Sequence, residues 1–230
     1  MIPRVLEPEA MDTPDEADDY DAMDHAAVNA RFVADFLAAR RAFRGGLVLD
    51  VGTGPARIPI ALCAADPSAR VLGLDLAGAM LDRARRNIEE AGLSGRIEVA
   101  RGDAKGLAFE DGRFEAVVSN SIVHHVPAPA PALAEMVRLV APGGILFVRD
   151  LARPDSAETV AALVARYAGD EPAPARALFE ASLHAALTVA EVRAIVVGLG
   201  LPAETVAMTS DRHWTWSWNR SPSAGKDSPG

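Results

Sequence analysis

One junction constrains this chain most tightly: Leu47-Val48-Leu49-Asp50-Val51 runs straight into Gly52-Thr53-Gly54, and an apolar stretch from Ile58 to Ala65 follows. Four apolar residues in five predict a buried strand, and the later stretch predicts a helix. Between them the glycines let the backbone approach a ligand closely, while the helix N-terminus offers unpaired N–H groups to it. Strand, turn and helix in this order suit a nucleotide cofactor. A dinucleotide site needs a third glycine, Gly-x-Gly-x-x-Gly, so that helix and strand pack closely. That place is held by Arg57, which is large and charged. The next strand, Arg70 to Asp75, ends in a carboxylate 23 residues after Gly52, where it can accept both hydroxyls of a ribose. Dinucleotide-binding chains share that carboxylate, so Arg57 carries the discrimination.

Further motifs follow in order. Gly102-Asp103-Ala104 comes after a third strand around Ile97 and Val99, and Phe114 to Asn120 reads as a fourth. Leu139-Val140-Ala141-Pro142-Gly143-Gly144 then predicts a turn before a fifth strand, Ile145 to Val148. Over residues 47–150 the chain resembles the class I S-adenosylmethionine (SAM)-dependent methyltransferases. Their first motif is similar to Asp50-x-Gly52-x-Gly54, with Ala56 here where a further glycine is often found. From Asp111 to Gly144 it is most similar to the ubiquinone/menaquinone C-methyltransferase-like group. The resemblance implies SAM as cofactor, held by Gly52, Thr53, Gly54, Asp75, Leu76, Asp103, Ala104 and Asn120. In it the glycines admit the methionine moiety, Asp75 holds the ribose and Asp103 meets the adenine amino group.

Alternating strands and helices predict an α/β fold: a Rossmann-like seven-stranded sheet, parallel with an antiparallel C-terminal edge strand, sandwiched between helices. Ligands of such sheets bind at the carboxyl ends of the strands, where Gly52, Asp75, Asp103, Asn120 and Asp150 all fall. Residues 1–23 read as an acidic N-terminal extension, 24–220 as the methyltransferase domain, and 221–230 as a disordered tail. Glu7 to Asp24 holds nine acidic residues and no basic one, so Glu7 to Asp19 is expected to be solvated and partly disordered. Asp24 is a candidate N-cap for a helix carrying Val28, Phe32, Val33, Phe36 and Leu37 at helical spacing. The resemblance implies that the Tyr20–His25 junction folds over the cofactor as a lid, bringing Tyr20, Met23 and His25 to SAM or substrate. A purely structural junction is the alternative. Residues 150–201 exceed one crossover helix and read as three: Ala157–Ala168, Pro174–Ala186, and Thr188–Leu199 with a Thr188/Glu191 capping box. They form either a substrate lid or a covering layer.

Composition removes other classes. The net charge is −9 and no Lys/Arg cluster is dense enough to follow a phosphate backbone, which argues against nucleic acid. Cys63 is the single cysteine, so no internal disulfide or thiolate metal cluster forms. It sits in an apolar helix and reads as a small buried hydrophobe. No segment approaches the length of a membrane span, and no apolar signal region opens the chain, which fits a cytoplasmic protein without membrane insertion.

His124 and His125 follow the fourth strand and are the candidate general bases, by position and by the near-neutral pKa of imidazole. Neighbours on a loop rarely both face one site, so one of them is expected to act. Two adjacent histidines without a cysteine or a third spaced ligand make a poor metal constellation, and no metal is expected. The resemblance also implies, from Asn120-Ser121-Ile122-Val123 in place of an Asn/Asp-Pro-Pro-Tyr pattern, an O- or C-nucleophile on a small molecule rather than an amino group. Asp150 could be a second base or bind substrate and Arg153 could hold a carboxylate, unless the two simply pair. Trp214, Trp216 and Trp218 alternate onto one face of a strand, which packs on a helix, lines a pocket or joins two copies as a homodimer. Transfer of a methyl group to a small-molecule acceptor is the leading reading. The alternatives are a SAM-binding regulatory protein without transfer activity and an NAD(P)-linked oxidoreductase, against which Arg57 and the lack of a Tyr-x-x-x-Lys pair both speak.

Overall fold

A computed structural model describes residues 2–9, 12–23, 25–40 and 46–222. Helices α1 (Pro14–Ala22) and α2 (Ala26–Ala39) precede β1 (Leu47–Val51), α3 (Arg57–Ala65), β2 (Arg70–Asp75), α4 (Gly78–Glu90) and β3 (Ile97–Arg101). Then come β4 (Phe114–Asn120), a 3-10 turn at Val123–His125, α5 (Pro129–Leu139) and β5 (Val140–Leu151). Helices α6 (Ala157–Ala168), α7 (Ala173–Ala185) and α8 (Val189–Gly198) lead to β6 (Val206–Met208) and β7 (His213–Asn219). The sheet order is β3-β2-β1-β4-β5-β7-β6. Strands β1 to β5 pair in parallel, and β7 runs antiparallel between β5 and β6. Chain order reverses between β1 and β4, so the carboxyl ends of these two strands splay a crevice open.

Successive strand residues point to opposite faces, and each face has its own core. Val48, Val71, Val118 and Phe147 pack on one side with Phe32 and Phe36 of α2, Leu62 of α3 and Ile88 of α4. Leu49, Leu74, Val117 and Leu146 pack on the other with Leu133 and Met136 of α5 and Val192 and Val196 of α8. Trp214 and Trp216 lie wholly inside this second core, with Trp218 packed against it, so the Trp face is a helix-packing face. Cys63 is buried in the first core, as its apolar neighbours imply.

The predicted turn at Pro142-Gly143-Gly144 is a bulge inside β5: the register jumps from Phe114 opposite Val140 to Ala116 opposite Ile145. Gly143 has a φ of 81°, and a Cβ on Gly144 would lie 2.5 Å from the Glu115 carbonyl oxygen. The three insertion helices form where expected, and Thr188 and Glu191 close the capping box of α8. They divide the two expected roles: α8 covers the sheet, while α6 and α7 line a cavity.

The acidic segment behaves differently from the solvated tail expected of it. Thr13 and Glu16 form a capping box that starts α1. Asp12 accepts the Ala79 N–H at 3.0 Å, at the start of α4, where helix N–H groups lack partners. Asp21 is buried and receives Arg57 and Arg83, each at 2.6 Å. The compensating cations sit in other elements, which a local charge count overlooks. Asp24 and residues 223–230 lie outside the described residues, and α2 starts after His25, whose side chain makes no capping bond. No helix of the described residues is long and apolar enough to cross a membrane.

Candidate active site

All eight residues expected at the cofactor line one cavity of about 450 Å³ at the carboxyl ends of the strands. Gly52 has a φ of 75°, and a Cβ there would stand 2.1 Å from Ile122 Cγ2. Gly54 has a φ of 50° and open space where a Cβ would be, so its backbone faces the cavity bare. Ala56, at the place where a further glycine is often found, is left-handed with a φ of 61° and starts α3 from that strained position. The loop is held from below: Gly52 and Thr53 both donate to the Leu74 carbonyl, at 2.8 and 2.9 Å.

Asp75 accepts the Gly54 N–H on Oδ2 at 2.8 Å and the Ala77 N–H on Oδ1 at 2.9 Å. Burial pushes its carboxyl above the ordinary value, with those N–H groups opposing the rise. Each oxygen keeps a lone pair for a further donor. Asp50 lies deeper, takes the Thr53 hydroxyl at 2.8 Å, and is pushed by burial to about 7. The Lys105 backbone N–H and its ammonium hold Asp103 below the usual carboxylate range, both through Oδ1. A cavity of this size, with bare glycine backbone on one wall and carboxylates on the rim, fits a cationic nucleoside such as SAM.

A second cavity, of about 330 Å³, lies beside the first. Tyr20, Met23, His25, Asn29, Asn120, Ser121 and His125 line both. Ser121 is left-handed with a φ of 58°, a strained turn at the junction. Leu178, Phe179 and Ser182 of α7 and Tyr167 of α6 supply the far wall.

The two histidines part company. His124 is buried, with Nδ1 2.5 Å from Asp150 Oδ1 and its backbone N–H on Asp150 Oδ2 at 3.0 Å. Burial works against its charge, but the Asp150 carboxylate, helped by Glu7, holds its pKa above the ordinary value. His125 is pushed down to about 4 by burial and by the neighbouring His124. Its Nδ1 lies 3.2 Å from the Pro8 carbonyl oxygen and 3.2 Å from Glu7 Oε1.

The structure corrects two expectations here. Asp150 is wholly engaged by His124 and by the Leu151 N–H and lines neither cavity. Arg153 also lines neither; it donates to Glu191 at 2.6 Å and to the Ala186 carbonyl at 2.9 Å, instead of facing a substrate or pairing with Asp150. Tyr20 and His25 do reach both cavities, their rings 5.3 Å apart. Sequence reasoning overlooked Ser121, Ile122, Asn29 and the α7 side chains, and above all Glu7. Only the helical spacing of Asn29 with Val28 and Phe32 held a hint.

The fold is Rossmann-like, with the first cavity at the carboxyl ends of its strands. Residues 48–144 match the family described as "Methyltransferase domain". The phosphatidylethanolamine N-methyltransferase of Cereibacter sphaeroides is 38% identical over 111 residues, covering 48% of this chain and 53% of that protein. The ubiquinone biosynthesis O-methyltransferase of Methylococcus capsulatus is 33% identical over 133 residues, covering 57% of this chain and 54% of that one. The structure of a SAM-dependent methyltransferase from Aquifex aeolicus superposes with a TM-score of 0.64 at 18% identity, covering 90% of this chain and 98% of that one. Residues 48–144 thus carry the match to a methyltransferase domain, within a fold shared with solved methyltransferase structures. It spans about half the length of the curated relatives it matches.

Proposed function

We propose that this protein transfers a methyl group from SAM to an oxygen or carbon nucleophile of a small molecule held in the second cavity. The observation that carries the reading is the common wall: two cavities, one shaped for the cofactor and one lined by α6 and α7, share seven residues. SAM supplies a methyl carbon made electrophilic by its sulfonium. Gly52 and Gly54 admit the methionine portion, Asp75 takes the ribose hydroxyls, and Asp103 keeps Oδ2 for the adenine amino group. Tyr20 and Met23 close the site from the N-terminal side and exclude water. Alignment of acceptor and methyl group at the shared wall is the main catalytic contribution, and effects of this kind supply up to about 7–11 kcal/mol. Proton removal falls to the imidazole pair, of which His125 is the member lining both cavities.

The relatives' names include both an N- and an O-acceptor, so the choice of atom rests on the loop Asn120-Ser121-Ile122-Val123, as the family resemblance reads it. The net charge of −9 and the carboxylates of the first cavity disfavour a phosphate backbone as substrate, and a cytoplasmic setting suits a lone buried thiol. Calorimetric titration with SAM and S-adenosylhomocysteine, with NADH as control, tests the cofactor. Micromolar binding of both sulfur nucleotides and none of NADH is expected, and NADH binding alone would overturn the reading. Incubation with methyl-labelled SAM and a panel of phenols, enols and amines then tests transfer. His125→Ala is expected to lower turnover about 10²–10⁴-fold with SAM affinity unchanged. Cofactor binding without transfer to any of them would favour a regulatory SAM-binding protein.

A further inference from the structure

We propose that Glu7, His124 and His125 form a divalent metal site of the two-imidazole, one-carboxylate kind, suited to zinc. Its open coordination position faces the second cavity. One donor atom from each of the three residues lies within 4.8 Å of the others. Glu7 Oε1 stands 3.3 Å from His124 Nε2 and 3.2 Å from His125 Nδ1. These separations are long for charge-assisted hydrogen bonds, which cluster at about 2.7–2.9 Å. They match the edge of a tetrahedron built on zinc–nitrogen bonds of about 2.0–2.1 Å, which is about 3.3 Å.

The surroundings are those of a ligand set. Asp150 Oδ1, 2.5 Å from His124 Nδ1, would hold the proton on that nitrogen once a metal ion took the place of the Nε2 proton. Carboxylates behind zinc-bound imidazoles play this part. Ser182 donates to Glu7 Oε1 at 3.1 Å and orients the carboxylate in the same way. The Glu7 side chain is only 6% exposed, yet that hydroxyl is the one hydrogen bond it receives among the described residues. A buried carboxylate so poorly supplied with hydrogen bonds needs a cation beside it, the part His124 plays when protonated and a metal ion would take over. The Pro8 carbonyl is a second neighbour of His125 Nδ1, and at 3.2 Å it is a weak competitor for that nitrogen.

His124, His125 and Ser182 all line the second cavity, so the fourth position is open to it. The oxygen of a hydroxyl or enol is the ligand class a zinc ion takes there. This assignment of an acceptor rests on the proposed transfer; the metal site itself does not. It also changes the part of His125, which serves as a ligand rather than as a free base.

The test uses the full chain without a histidine tag, stripped with chelator and titrated with zinc against a chromophoric chelator. One equivalent is expected. Glu7→Gln and His125→Asn should each weaken it at least 100-fold, and Asp150→Asn about 10–100-fold. SAM titrated into the same Glu7→Gln sample should bind as in the wild type, which separates failure of this site from failure of the cofactor site. Should a variant not fold, X-ray absorption of the zinc-loaded wild type decides: two imidazoles in the first coordination shell support the site. No bound equivalent, an affinity indifferent to Glu7→Gln and His125→Asn, or a spectrum without imidazole would overturn it.

Discussion

Asp75 does two jobs with one carboxylate: it ties the glycine loop to the start of α4 and presents its spare lone pairs to the first cavity. Asp75→Ala is therefore expected to weaken SAM at least tenfold, since hydrogen bonds to charged groups contribute about 1.5–3 kcal/mol each. Calorimetry checks this, with circular dichroism confirming the fold; unchanged affinity would remove Asp75 from the ribose site. Asp50 gives a pH signature. Its folded value of about 7 lies well above the ordinary aspartate value, so from pH 4 to 7 the unfolded chain gives up this proton first. The group's contribution to stability falls over that window as pH rises, by about 2–4 kcal/mol in all. Asp50→Asn lacks the loss, so the variant's stability relative to wild type should grow between pH 4.5 and 7.5. Denaturant midpoints at those two values decide it, and an unchanging difference refutes it. At this scale the gathering of the eight proposed cofactor residues at one cavity was legible because they follow strand ends. The partners of Asp150 and Arg153 were not, because each closes a contact with a separate element: His124 in one case, Glu191 in the other.

Elements with a clear period and a marked start were legible to within a residue or two. The α8 helix is an example: Thr188 and Glu191 announce it in sequence and bond reciprocally in the fold. Thr188→Ala should cost about 1 kcal/mol, a fall of about 2–4 °C in Tm for a chain of this size. A thermal melt reads it, and no change would mean that water replaces the cap. By contrast α1 was illegible, because its helical start was outweighed by its charge. Nothing in residues 7–24 reveals that Arg57 and Arg83 wait for Asp21 in helices 36 and 62 positions away. The same blindness hid Glu7, which reaches His124 only in the folded chain.

Across the whole molecule, the segment before α1 acts as a strap. Arg4 donates to the carbonyls of Ala185, Pro127, His124 and Val126, and so binds α7 to the loop after β4. Arg4→Ala is expected to raise amide exchange at least tenfold in residues 123–127 and 182–187 while the central strands stay protected. Hydrogen-exchange mass spectrometry checks it; uniform protection would show that the strap is ornamental. The common wall between the cavities reaches further still. An occupant of either cavity settles the same seven side chains, so part of the ordering entropy is spent by whichever molecule arrives first. Thermodynamic reciprocity then requires that any factor by which acceptor tightens cofactor is the factor by which cofactor tightens acceptor. Under the proposed transfer, a methylated product and a spent cofactor would inherit the same partnership, which would make departure from this site as much a joint event as arrival.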